Sequence, residues 1–255
     1  MIELPYSEFD KVYYLAEHSY SNRTYPLSVV EGVQTGSIFV DSLEKPGCAL
    51  ICHYCGFYYL LGRPNEHFLA ECADLIRTEK SKVKCFFIED NDLKLDAYFL
   101  KESGIIRQER HSFRLDPTKD ISFTVPNGFV LKELDATLLS RLEGNIIPSF
   151  SWDSMTKFLK KGKGYCLVHG NEVATVAFSS AVSHDEIDIG IETKEAYRKQ
   201  GLAAIVAKQM IQYIVEEGKT PTWECYVGNL GSKHTAEKAG FALKKTYCFF
   251  KADNA

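Results

Sequence analysis

Ile187-Asp188-Ile189-Gly190-Ile191 alternates apolar residues with period two, as a strand does. Leu202, Ile205, Val206, Met210, Ile211, Ile214 and Val215 then recur at helical spacing, and Gly218 stands where a helix end favours glycine. Between strand and helix lies Arg198-Lys199-Gln200-Gly201-Leu202-Ala203. Gly201 and Ala203 are small, so an anion can approach the free N–H groups of the first helical turn. Arg198 and Lys199 add positive charge at the same spot. The pattern predicts a strand–turn–helix built to hold a pyrophosphate.

Arg198-x-x-Gly201-x-Ala203 resembles the acyl-CoA signature of the GNAT N-acetyltransferase superfamily, R/Q-x-x-G-x-G/A. Asn229-x-x-Ser232, then Ala236, then Gly240-Phe241 resembles the second family block, N-x-x-A/S-x-x-x-Y-x-K-x-G-F. Three stretches look like the branch that includes zwittermicin-resistance-type acetyltransferases. They are Pro148-Ser149-Phe150-Ser151-Trp152, Ile187 to Thr193, and Pro221-Thr222-Trp223-Glu224-Cys225. The resemblance implies an α/β fold with a mixed sheet, and acetyl-CoA as co-substrate. It also implies that Ile191, Glu192 and Thr193 on a splayed strand bond the pantetheine arm. Arg198, Lys199, Gln200, Gly201, Leu202 and Ala203 would hold the pyrophosphate, and Asn229 and Ser232 would add cofactor contacts. The competing role for Ser232 is in the capping region of a helix.

At 255 residues with a formal charge of −4, the chain has room for two domains and no general affinity for nucleic acid or an anionic membrane. No apolar run reaches the length of a membrane span, and Met1-Ile2-Glu3-Leu4-Pro5 lacks the pattern of a secretory signal. The chain therefore reads as cytoplasmic, with a homodimer left open. Most of the eight cysteines lie in or beside apolar runs, as buried free thiols do in a reducing compartment. Cys52-His53-Tyr54-Cys55 is formally a C-x-x-C, but no second ligand pair follows it. In a strand its two thiols would also face opposite ways. No metal site is expected.

From the N-terminus, Ser7-Glu8-Phe9-Asp10 suggests a capping box opening a helix to about His18, followed by an irregular stretch from Ser19 to Arg23. Strands are expected at 37–40, 49–54 and 57–61, with Gly56 in the hairpin. Asn65 should cap a helix to about Glu79. A strand at 83–88, a helix at 93–100 and a long strand at 105–115 follow. Asp116 to Asp120 is the most linker-like segment, which divides the chain into domains 1–118 and 119–255. The second domain should hold a strand at 129–131, helices at 136–142 and 152–160, and a hairpin around Gly170-Asn171. After the organising strand and helix come a strand at 222–226, a helix at 230–238 and a strand at 241–250. The order of elements suggests that the first half is a degenerate GNAT-like unit. Its counterpart of the phosphate turn, Leu61-Gly62-Arg63-Pro64-Asn65, contains a proline without an N–H. Coincidence is the competing reading, since alternating α/β order is common.

Acyl transfer to an amine needs a positioned thioester, a base for the amine proton and a donor or stabiliser for the leaving thiolate. The family often uses a tyrosine as the acid, where this chain has Ala236. Tyr226 is a substitute, with Cys225 and His234 as others; each has a plain structural alternative. Glu186, Asp188, Glu192 and Glu224 fall on the two strands flanking the expected cleft, and Asp188, Glu192 and Glu224 are the foremost bases. A solvated polar face is the bland reading of any one of them. Gly190 inside a strand marks a bulge or a close approach. The resemblance implies that the segment Asn145–Ser151, with Trp152, forms the lip of the acceptor site; core packing of Phe150 and Trp152 explains them equally well.

The sequence thus reads as an acetyl-CoA-dependent N-acetyltransferase, an enzyme that acylates the amine of a small molecule. The rival is a non-catalytic acyl-CoA-binding sensor, which Ala236 keeps open. Loss of cofactor binding is a third reading, and the intact Arg198–Ala203 turn argues against it.

Overall fold

The computed structural model describes residues 1–19, 21–88 and 93–253, with Leu93 described by its backbone alone. Tyr20, inside the stretch expected to be irregular, lies outside the described residues. In chain order the elements are β1 (Ile2–Glu3), α1 (Tyr13–Glu17), α2 (Thr24–Val30), β2 (Gly36–Val40), β3 (Cys48–His53), β4 (Phe57–Gly62), α3 (Glu66–Thr78), β5 (Cys85–Phe87), α4 (Leu93–Lys101) and β6 (Ile105–Leu115). They continue with β7 (Phe129–Glu133), α5 (Ala136–Leu139), α6 (Met155–Lys161), β8 (Gly164–His169), β9 (Glu172–Val182), β10 (Glu186–Thr193), α7 (Leu202–Glu216), β11 (Thr220–Tyr226), α8 (Leu230–Ala239) and β12 (Phe241–Ala252). The architecture is mixed α/β. Among the described residues no helix is long and apolar enough to cross a membrane.

The chain forms two compact units, Met1–Arg110 with Thr246–Ala255, and His111–Lys245. The division falls inside β6 rather than at the 116–120 segment, and the second half of β12 belongs to the first unit. Asp116 and Asp120 instead fold back on their own neighbours, accepting hydrogen bonds from Thr118 and Ser122. These bonds hold both carboxyls below the usual carboxylate range.

In the first unit, β1, β2, β3 and β4 pair in antiparallel succession. Chain direction then changes: β5 pairs parallel to β4 at Phe57–Cys85, Tyr58–Phe86 and Tyr59–Phe87, after the α3 crossover. β12 closes on β5 at Phe250–Phe86. One face carries Leu60, Phe68, Ile76, Phe86, Phe99 and Phe250, packed under α3 and α4. The other is aromatic: Phe57 meets Tyr25 and Phe87, and Tyr59 stacks on Phe87 with centroids 4.7 Å apart. The unit differs from expectation at its start. A 3₁₀ turn over Tyr6–Val12 precedes α1, Pro5 holds the cap position, and the Ser7 capping box does not form. α2 was not anticipated from Thr24-Tyr25-Pro26-Leu27-Ser28-Val29-Val30; every residue of it is buried, so it has no amphipathic period to read.

In the second unit, β7, β8, β9 and β10 pair in antiparallel succession, and β11 pairs parallel to β10 after α7. α7 lies over the face that carries Ile191 and Ala177, where Tyr213 meets Tyr165 and Lys163 reaches both rings. Leu202, Val206, Ala207, Met210, Ile211 and Ile214 are its buried stripe, each worth up to about 1.5–3 kcal/mol for the larger side chains. Val215, expected in that stripe, is exposed. The helix expected from Trp152 starts at Met155, because Ser154 caps it by accepting the Lys157 N–H. Trp152 is instead buried outside the helix.

All eight cysteines are free and buried. Cys55 lies in the turn after β3, so the argument from opposite strand faces does not apply to the Cys52/Cys55 pair. Burial pushes the Cys52 and Cys55 thiols well above the usual thiol range, and Cys48 up to about 12.

Candidate active site

The parallel ladder between β10 and β11 is short. It joins Glu186 to Thr220, Ile187 to Pro221 and Asp188 to Thr222, and among the described residues nothing pairs the two strands beyond that point. β10 nonetheless stays on β9 as far as Thr193–Thr175, and β11 runs on to Tyr226. The strands therefore part, and the edge of β10 from Ile189 to Thr193 is left without a β11 partner. This is the splay that the resemblance implies.

Just past the splay, Arg198 is extended, Lys199 has φ 61° and Gly201 has φ 80°. Left-handed residues in a turn gather successive N–H groups into a concavity that favours an anion. Gly201 takes the N-cap position of α7 with no side-chain cap, and a Cβ there would meet nothing within 4 Å. The helix start is thus open, with its orphan donors and positive dipole end unblocked. Leu202 is buried as the first core residue of α7, and Ala203 is half-buried. Gln200 turns back to donate to the Ala196 carbonyl at 3.2 Å. Arg198 donates from Nε to the Thr193 carbonyl at 3.0 Å. Its exposed guanidinium lies 3.7 Å from Glu192.

Three residues of β10 share the face opposite α7. Asp188 is 4 % exposed and accepts from the Thr222 hydroxyl at 3.1 Å. Gly190 lies against Phe178 of β9, where a Cβ would come within 2.6 Å of the ring. The glycine therefore serves a close side-chain packing, and the bulge sits one step earlier, between Asp188 and Ile189. Glu192 reaches the 143–152 segment: its Oε2 accepts the N–H groups of Asn145 and Ile146, each at 3.1 Å. On β11, buried Pro221, Trp223 and Cys225 alternate with Thr222, Glu224 and Tyr226. Because Thr222 touches Asp188, Glu224 and Tyr226 share the Asp188 face. Tyr226 is 40 % exposed at the strand end. The structure thus brings Asp188, Glu224 and Tyr226 onto one face, and sends the carboxylate of Glu192 to a loop. Glu186 lies at the start of β10, where its backbone pairs with Ser183.

The second block opens α8. Asn229 caps α8 by accepting the Ser232 N–H at 3.0 Å, and the Ser232 hydroxyl accepts from the Trp223 indole at 3.1 Å. Ala236 is fully buried in the face of α8 that packs on the core. His234 is exposed on α8, and Cys225 is buried. The Thr193 and Thr175 hydroxyls bond to each other at 2.8 Å, and Thr175 also donates to the Glu192 carbonyl. Sequence reasoning missed Thr222, Thr175 and Phe178. Each sits across a strand pair, a relation that only the register reveals.

At the lip, Trp152 donates its indole N–H to the Ser179 carbonyl at 2.8 Å. Pro148–Phe150 forms a 3₁₀ turn before it. Beside the 198–201 turn, Tyr197 donates to Glu172 at 2.9 Å. Lys194 bridges Glu172 and Glu143.

Comparison with known proteins agrees with this geometry. A family described as GNAT acetyltransferase matches residues 16–250. An N-acetyltransferase of Bacillus subtilis (strain 168) is 26 % identical over 233 residues, 89 % of each chain. The crystal structure of a GCN5-related N-acetyltransferase-like protein from Streptococcus suis superposes with a TM-score of 0.76 at 24 % identity, covering 97 % of this chain and 99 % of the other. A tandem GNAT protein from the clavulanic acid biosynthesis pathway superposes with a TM-score of 0.64 at 11 % identity, covering 98 % and 97 %. The two structural likenesses bear on the fold alone.

Proposed function

The chain belongs to the GNAT acetyltransferase family, and we propose that it moves an acetyl group from acetyl-CoA to the amine of a small molecule. The observation that carries this reading is the uncapped start of α7, with left-handed Lys199 and Gly201, directly beyond the β10–β11 splay. An anionic diphosphate suits that turn, and an extended amide-bearing arm suits the unpaired edge of β10 at Ile191–Thr193.

When bound, acetyl-CoA supplies the thioester carbonyl. Asp188, held by the Thr222 hydroxyl, takes the proton from the attacking amine. A backbone N–H on the unpaired edge of β10 stabilises the oxyanion. A C–N bond forms, the C–S bond breaks, and Tyr226 gives its hydroxyl proton to the departing sulfur. Glu224, on the same face, favours a cationic acceptor. Tyr226 takes the acid role because buried Ala236 stands where the family often has a tyrosine.

The same reading takes the first unit as a second copy of the fold without a cofactor turn. Its antiparallel run, crossover helix and three-pair parallel ladder repeat those of the second unit, and the tandem GNAT neighbour supports it.

Calorimetric titration of acetyl-CoA into the wild type and Gly201→Glu is the test, followed by thiol release with spermidine, tyramine, lysine and glucosamine. Binding lost in the variant, with amine-dependent thiol release by the wild type, is the expected result. Binding without thiol release favours the sensor. No binding to the wild type overturns the reading.

A further inference from the structure

Glu192 stands where the sequence invites a general base, and its surroundings give it other work. Its side chain is 18 % exposed. Both lip amides, Asn145 and Ile146, donate to the same oxygen, Oε2, at 3.1 Å. Gly144 has φ 127°, and a Cβ on it would lie 2.6 Å from the Cγ of Glu192 and 2.9 Å from its Cδ. The loop is therefore shaped to the carboxylate: a glycine makes room for it and two amides turn onto it. One residue pair away, Lys194 binds Glu143 at 3.2 Å, a contact that is the main cause of its raised pKa. At the far end of the same segment, Trp152 is fixed to the Ser179 carbonyl. The strap from Glu143 to Trp152 is thus tied to the β9–β10 pair at both ends. The other oxygen of Glu192, Oε1, faces the Arg198 guanidinium at 3.7 Å, and Arg198 opens the cofactor turn.

We infer that Glu192 is a positioning residue: it fixes the acceptor lip by its carboxylate. A carboxylate that accepts two backbone N–H bonds holds a loop by charge-assisted bonds, which are about twice as strong as neutral ones. A strap tied at one end only must be ordered when the acceptor binds, which weakens its binding. This role rests on the acetyltransferase reading for its effect on catalysis, while the tie itself is independent of any reaction.

The test separates the two. Hydrogen exchange of the peptide containing Asn145 and Ile146 needs neither acceptor nor turnover. Slow exchange is expected in the wild type and in Glu192→Gln, whose amide oxygen still accepts both N–H groups, and exchange at least tenfold faster in Glu192→Ala. Gly144→Ala, which drives a methyl into Glu192, should act like Glu192→Ala. Kinetics with the panel amine of highest kcat/KM then read the consequence. Glu192→Ala raises the KM for that amine about tenfold and leaves the acetyl-CoA Kd within threefold. Glu192→Gln restores the KM and keeps the acid limb of the pH–rate profile. Loss of that limb and of kcat in Glu192→Gln as in Glu192→Ala would identify a base and overturn the proposal. So would equal exchange in wild type and Glu192→Ala. If no panel amine turns over, the exchange result still decides the tie, and the failure falls on the acetyltransferase reading.

Discussion

α3 and α7 each follow a strand that is about to lose a parallel partner, yet their N-termini are finished in opposite ways. α3 is closed: Asn65 accepts the Phe68 N–H at 2.9 Å, and Pro64 removes another donor. α7 is open: Gly201 has no side chain to close it. The two ladders repeat the contrast. At the third pair the first unit has Tyr59 stacked on Phe87, both fully buried, and the second has Asp188 bonded to Thr222. Two residues further along, Leu61 is buried where the second unit has Gly190. The backbone plan is common to both. What makes one of them a candidate for chemistry is the helix start and the strand edge that it leaves open.

Substitutions can break this comparison or sharpen it. The largest effect belongs to Asp188→Asn, which should lower kcat by about 10²–10⁴-fold while leaving acetyl-CoA affinity within threefold. Retained kcat would make the polar third pair no more catalytic than the aromatic one. Gly201→Glu should weaken acetyl-CoA binding on the order of 100-fold by setting like charges together at the open helix end. Calorimetry reads it directly. Acid should act through the first unit. His53 is buried, and burial lowers its pKa from 6.5 to about 3. The unfolded chain therefore takes up the proton first, so stability is full above about pH 6.5 and falls as the pH drops toward 3. The slope is about 1.4 kcal/mol per unit. From pH 6.5 to 5 the loss is about 2 kcal/mol, and His53→Gln should flatten it in urea midpoints. Gly190→Ala should cost about 1–3 kcal/mol through the clash with Phe178, and Phe178→Leu in the same chain should return part of it. Asn65→Ala should remove about 1 kcal/mol and leave cofactor affinity untouched. An affinity change there would mean that the closed helix end also touches the cofactor.

The strands and long helices were legible because period-two and 3.6-residue patterns are local. Asn65 and Gly218 also read correctly, since caps are written within a few residues. α2 was not legible, because a helix buried on every side carries no stripe. The Ser7 capping box failed because the chain preferred a 3₁₀ turn after Pro5. The open helix start at Gly201 was legible in the turn's own residues, and the splay was implied by the resemblance to the family. The tie from Glu192 to Asn145 and Ile146 was not, since donor and acceptor are far apart in sequence and backbone N–H groups have no letter of their own. The carboxylates were seen as a set, but only the register with Thr222 distinguishes Asp188 from Glu192.

The last strand has a consequence for how the protein is made. Residues 246–253 belong to the first unit: Phe250 pairs with Phe86 and packs on Phe99, Tyr247 and Phe249 lie on Phe87, and the Asp253 N–H bonds to the Gly104 carbonyl. A ribosome delivers these residues only after the whole of His111–Lys245. At about 5–20 residues per second, the nascent first unit waits on the order of ten seconds with one edge of β5 unpaired and its aromatic face uncovered. The second unit is fully translated before the first can close. Premature termination within β12 therefore damages the part of the molecule that was synthesised first, and chaperone demand during translation should centre there.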